Sequence, residues 1–107
     1  MVPMADEPQV TVDDNPDHSR FEVTVDGVLA GFAAYEIDSG AVIFLHTEVF
    51  EEYAGQGLAG QLLKASLDMV REAGGKVVAL CPYVRAYLER HAPEYDDLRR
   101  DDPAPTA

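Results

Sequence analysis

A chain of 107 residues, 47% of them hydrophobic, has material for one small domain with a real core. Twenty acidic against eight basic residues leave a net charge of −12. That balance excludes the clustered cations of a nucleic-acid binder, disfavours anionic membranes, and suits cationic partners such as amines as well as plain solubility. No apolar run approaches the ~20 residues of a membrane-spanning helix. The opening "MVPMADEPQV" has neither a basic nor an apolar signal region, and the single cysteine, Cys81, excludes an internal disulfide. A reducing cytoplasm is the expected compartment.

In chain order, residues 1–9 read as a flexible tail, and "QVTVDD" (9–14) alternates as a first strand. "NPDHS" (15–19) is a turn by composition. "RFEVTV" (20–25) puts Phe21, Val23 and Val25 on one face, and "DG" (26–27) signals a tight hairpin. The return strand covers 28–37, where Gly31 marks a bulge or a close backbone approach. After "DSG" (38–40), "AVIFLHTEVF" (41–50) is apolar on both faces apart from His46 and Glu48, which predicts a central strand covered on both sides.

A helix is expected from about Gly57 to Ala73, with Ala59, Leu62, Leu63, Ser66, Leu67 and Val70 along one stripe. "GG" (74–75) stops it. "KVVALC" (76–81) reads as a short buried strand, Pro82 opens a second helix over 82–91, and 99–107 reads as a disordered tail. The whole is one α/β (α+β) domain, residues 10–98, with a mixed, mostly antiparallel sheet.

Gly55, Gly57 and Gly60 fall between a strand and a helix, the place for a phosphate-holding loop. A Walker A loop fails because Gln61 and Leu62 stand where Lys and Ser/Thr belong. A dinucleotide fingerprint matches "GQGLAG" literally, but the next strand ends in Ala79, Leu80 and Cys81, with no acid for a ribose. A pyrophosphate cradle of the acyl-CoA type needs neither lysine nor metal. Main-chain amides from Gly55 to Gly60 and the helix N-terminus supply its positive potential.

His46 and Glu48, two apart on a strand, share a face. Val42 and Phe44 are expected on that same face. His46 can do acid–base work at neutral pH, with Glu48 orienting it or binding a cation. Zinc-deaminase chemistry is excluded by the single cysteine, and metal sites in general lack ligands. Cys81 precedes a helix, where a thiolate is favoured, but a small buried hydrophobe is the commonest fate of a lone cysteine.

Taken together, "SRFEVTVDGVLAGFAAYE", "HTEV…GQGLAGQLL" and "LDMVREAGGKVVALCPYVRAYLERHAPEYDDL" resemble the minimal, roughly hundred-residue branch of the GNAT N-acetyltransferase superfamily, over residues 10–98. The resemblance implies an acetyl-CoA-dependent N-acetyltransferase fold with a long helix after the glycine loop and a short C-terminal helix. The superfamily's Gln/Arg-x-x-Gly-x-Gly/Ala motif falls on Ala54-Gly55-Gln56-Gly57-Leu58-Ala59, with Gly57 and Ala59 matching and Ala54 departing. Gly55, Gln56, Gly57, Leu58, Ala59 and Gly60 are thereby the cofactor loop.

The resemblance also implies that His46 and Cys81 line the active cleft. Cys81 is then either an acetyl-accepting nucleophile with His46 as base or only a contact of the thioester. The amide of Val49 would polarise the thioester carbonyl, and Tyr83 or Tyr87 would protonate the leaving thiolate. With only "NPDHS" between the first strands, the acceptor side of the cleft is expected to be open, which suits a protein amine. The alternative is a module that binds acyl-CoA without transfer. Acceptor identity and oligomeric state are not encoded in these motifs.

Overall fold

Two type I′-like turns set the antiparallel part of the sheet, in a computed structural model that describes residues 8–100. Asp26 and Gly27 have φ of 52° and 85°, and Ser39 and Gly40 have 53° and 82°, the twist that tight hairpins need. They join β2 (Arg20–Val25) to β3 (Val28–Asp38), and β3 to β4 (Ala41–Val49). A first strand, β1 (Val10–Asn15), reaches β2 through a 3-10 turn at Pro16–His18. β1 to β4 pair antiparallel in sequence order. β5 (Lys76–Ala79) adds parallel to β4, after the crossover helix α1 (Leu58–Glu72).

The mixed, mostly antiparallel sheet, with a long helix and a short helix α2 (Pro82–Arg90), is the expected fold. α1 buries Leu58, Leu62, Leu63, Ser66, Leu67 and Val70, the stripe that a 3.6-residue period marks out. Ser66 is tolerated there because its hydroxyl donates to Leu62 O at 2.7 Å. Gly74, at φ 77°, ends the helix. Its N–H bonds Arg71 O while Gly75 N–H bonds Val70 O, which satisfies two carbonyls that would otherwise be left open.

α1 and α2 share one core with Phe21, Val23, Ala33, Phe44 and Val77, so both helices lie on the same side of the sheet. β4 is therefore covered on one face, not on both as its composition predicts. Among the described residues no helix covers the other face, and Leu45, His46 and Glu48 stay exposed. None of these helices is long and apolar enough to cross a membrane.

The segment after α2 carries core residues that no period announces. Tyr95 and Leu98 are buried. Beyond them the chain runs beside β5: Val77 N–H bonds Leu98 O at 2.9 Å and Arg100 N–H bonds Val77 O at 2.8 Å. Arg99 and Arg100, read from sequence as the start of a tail, thus pair with the sheet edge. The remainder of both tails, 1–7 and 101–107, lies outside the described residues.

Candidate active site

One surplus residue in β4 shapes the site. Tyr35 pairs with Phe44 and Ala34 with His46, so Leu45 has no partner on β3. Side chains alternate on either side of such a bulge but change sides across it. Val42 and Phe44 face the helices. His46 and Glu48 face outward beside Phe32 and Ala34, instead of sharing the face of Val42 and Phe44 as simple alternation predicts.

His46 and Glu48 do meet. Nε2 lies 3.3 Å from Glu48 Oε1, with the side chains 61% and 48% exposed. The Phe32 ring stands edge-on to the imidazole at 6.1 Å between centroids. A contact this exposed contributes little to stability, so its interest is chemical.

Thr47 and Val49 take the inward positions. Phe50 N–H bonds Ala30 O at 2.8 Å, which makes Gly31 and Val49 a pair without mutual hydrogen bonds. The Val49 N–H therefore points away from β3, toward the side where β5 has ended. β5 stops pairing at Ala79, opposite Phe44, and the amides of Leu80 and Cys81 both close on Phe44 O at 3.0 Å. Past that carbonyl the two strands part and leave a gap. Gly31 makes the approach of β3 possible, since a Cβ there would lie 2.5 Å from Glu48 O. The extra residue Ala30 in the β2–β3 ladder adjoins it, so Gly31 marks both a bulge and a close approach.

Cys81, the N-cap of α2, is buried at this gap. Its Sγ donates to Thr47 Oγ1 at 3.7 Å. Thr47 and His46 are consecutive on a strand, so Cys81 and His46 lie on opposite faces of β4. The structure does not bring the expected base and thiol together. Thr47, which sequence reasoning passed over, is the partner of the sulfur. Its signal was the odd position between His46 and Glu48 in a strand with alternating faces.

The glycine loop follows a 3-10 turn at Glu51–Tyr53. Gly55 and Gly57 adopt φ of 83° and 75°, and no atom lies within 4 Å of a Cβ built on Gly55, Gly57 or Gly60. Gln61 is the first residue whose amide bonds back, to Gly57 O at 3.3 Å. Among the described residues the amides of Gly55, Gln56, Gly57, Leu58, Ala59 and Gly60 donate to no protein acceptor. Such a row at a helix N-terminus holds anionic oxygens, and it fits the pyrophosphate of a coenzyme A.

From the loop a groove of about 510 Å³ runs between α1 and α2. Gly57 and Gly60 line one wall, Tyr83 and Tyr87 the other. Tyr83 is 41% exposed, whereas Tyr87 is buried and stacks on His91 at 4.1 Å. Burial raises the Tyr87 phenol above the ordinary tyrosine value. Among the described residues no group of three or more His, Cys, Asp or Glu side chains is placed to hold a metal ion.

The profile of a family described as GCN5-related N-acetyl-transferase matches residues 20–98. "Protein NATD1" of Homo sapiens and of Gallus gallus are each 43% identical to this chain over 51 residues. The match takes in 47% of this chain and 45% and 46% of those proteins, so the aligned part spans about half the length of the curated relatives it matches. A GCN5-like protein from Staphylococcus aureus superposes with a TM-score of 0.65 at 25% identity, over 87% of this chain and 90% of its own. The ribosomal-protein-S18-alanine N-acetyltransferase of Escherichia coli superposes at 0.58 and 22% identity, over 68% and 50%, a likeness of fold.

Proposed function

Because the chain belongs to the GCN5-related N-acetyl-transferase family, we propose that it moves an acetyl group from acetyl-CoA to an amine acceptor, and that the acceptor is an amine on a protein. The observation that carries this reading is the row of unspent amides from Gly55 to Gly60, placed beside the gap between β4 and β5. Those amides would hold the pyrophosphate, and Tyr83 and Tyr87, which line the groove, would border the cofactor. When bound, acetyl-CoA supplies an activated thioester.

The chain's own groups do the rest. The Val49 N–H, directed into the gap, would donate a hydrogen bond to the thioester carbonyl. His46, held by Glu48 on the open face, takes a proton from the attacking amine. Tyr83, the more exposed of the two tyrosines, would supply a proton to the coenzyme's thiolate. Cys81 remains a thiol donating to Thr47 and borders the gap without attacking. Direct attack by the amine is favoured over an acetyl-cysteine because His46 lies on the opposite face of β4 from the sulfur. The uncovered face of β4 leaves room for a large acceptor. The alanine acetyltransferase among the similar folds acts, by its name, on a ribosomal protein, which is in keeping with a protein amine here.

The test is release of free thiol from acetyl-CoA with a panel of peptide and small amines, alongside thermal stabilisation by CoA. Turnover with at least one amine, lost in His46→Ala, is the expected result. Stabilisation by CoA with no turnover on any amine points instead to a binding module, and no stabilisation at ~1 mM CoA removes the cofactor from the account.

A further inference from the structure

The groove between α1 and α2 is cationic in a chain that is strongly acidic. Lys64 and Arg90 lie on its rim, Gln61 and His91 beside them, and no carboxylate lines it. Arg90 also differs from five of the other seven basic residues. Arg20 pairs with Glu22, Lys64 with Asp68 and Arg71 with Asp97, while Lys76 donates to Asp97 O and Arg85 to Ala79 O. Among the described residues Arg90 makes no ion pair and no side-chain hydrogen bond.

An unpaired guanidinium among 20 acidic residues leaves ready partners unused, and it does so in the groove that begins at the glycine loop. The loop amides account for a pyrophosphate. A coenzyme A carries one more anionic group, the phosphate monoester on its ribose, with a charge of about −1.5 to −2 at neutral pH. A net charge of −12 repels that group, so binding it calls for local cations.

We propose that Arg90, with Lys64 across the groove, forms an anion subsite for the ribose phosphate monoester of coenzyme A. The subsite makes the protein discriminate the full coenzyme from its dephospho form. It rests on the coenzyme reading above and deepens it. Arg90 donates in a fork to the phosphate oxygens. The Lys64–Asp68 pair at 3.2 Å is exposed, so its ammonium is free to turn to a stronger anion. Arg90 ends α2, where a cation also suits the helix dipole, so the test needs a readout which that role does not move.

Calorimetric titration of the full chain with CoA and with dephospho-CoA, at low and moderate salt, supplies that readout. Wild type is expected to bind CoA about tenfold more tightly than dephospho-CoA. Arg90→Ala is expected to bring the ratio below about twofold by weakening CoA alone, and Arg90→Glu to reverse it. The wild-type ratio is expected to shrink with added salt, since the groove is open to solvent. Equal affinity of wild type for both ligands, or an unchanged ratio in Arg90→Ala, overturns the subsite while leaving the coenzyme reading in place. Binding of neither ligand overturns both.

Discussion

Leu45 is one residue too many for the β3–β4 ladder, and that surplus reassigns every side chain after it. His46 comes to the open face and Thr47 to the sulfur of Cys81. The two therefore separate under mutation. Cys81→Ser is expected to keep kcat/KM within about fivefold, with no acetyl adduct on intact-mass spectra of wild type, whereas His46→Ala is expected to lose ~10²-fold or more. A stable adduct on Cys81 during turnover reverses the assignment.

The glycines divide in the same way. Gly57→Ala places a Cβ at φ 75° and is expected to cost about 1–2 kcal/mol in denaturant unfolding. Gly60, inside α1 and with open space around it, is expected to gain about 0.5–1 kcal/mol as Ala. Gly31→Ala drives a Cβ against Glu48 O and is expected to lose about 1–3 kcal/mol. The pairing of His46 with Glu48 is legible in sequence, because a strand repeats every two residues. Their face is not, because a bulge leaves no mark in composition.

Among elements, β1 is an edge strand tied to the middle of the sheet by a polar contact from β3. Tyr35, inside β3, donates its hydroxyl to Asp14 Oδ1 at 2.6 Å. Burial, then the Asp14 carboxylate, pushes the Tyr35 phenol well above the ordinary tyrosine range, and burial does the same to Tyr95. A folded-state pKa above the unfolded value means that the native chain holds the proton more tightly. Stability is then complete below pH ~10 and falls as pH rises beyond it, by up to about 1.4 kcal/mol per pH unit for each phenol. Tyr35→Phe is expected to cost about 1–2 kcal/mol at pH 7 and to make the loss between pH 10 and 12 shallower, measured by urea unfolding across that range. An unchanged alkaline slope in Tyr35→Phe contradicts this account. The α1 stripe and both hairpin turns are plain in the sequence, since period and turn chemistry are local. Tyr95 and Leu98 are not, because they reach the core from a stretch of turns with no period, held by Arg71 and Lys76.

At the scale of the molecule, one sheet carries both helices on one side and, among the described residues, none on the other. The two sides differ in charge as well as cover. Lys64 and Arg90 stand at the groove beside the glycine loop. On the open side the cation Arg20 is taken up by Glu22 at 2.8 Å and lies over the Phe32 ring, while Glu48 stays exposed beside His46. An anionic donor approaching the groove and a cationic acceptor approaching the open face would each meet a complementary surface. A net charge of −12 adds a long-range pull on the acceptor alone. Salt screens that pull over a Debye length of about 10 Å at 0.1 M. For a lysine-bearing peptide the expected result of raising NaCl from about 0.05 to 0.5 M is a fall in kcat/KM of about tenfold, with kcat at saturation little changed, because steering acts on encounter and not on the bound complex. A peptide with acidic neighbours around the same amine should start lower and respond in the opposite direction. If both peptides respond alike, the field of the chain has no part in choosing the acceptor, and selection must lie in contacts made after encounter at His46, Glu48 and Phe32.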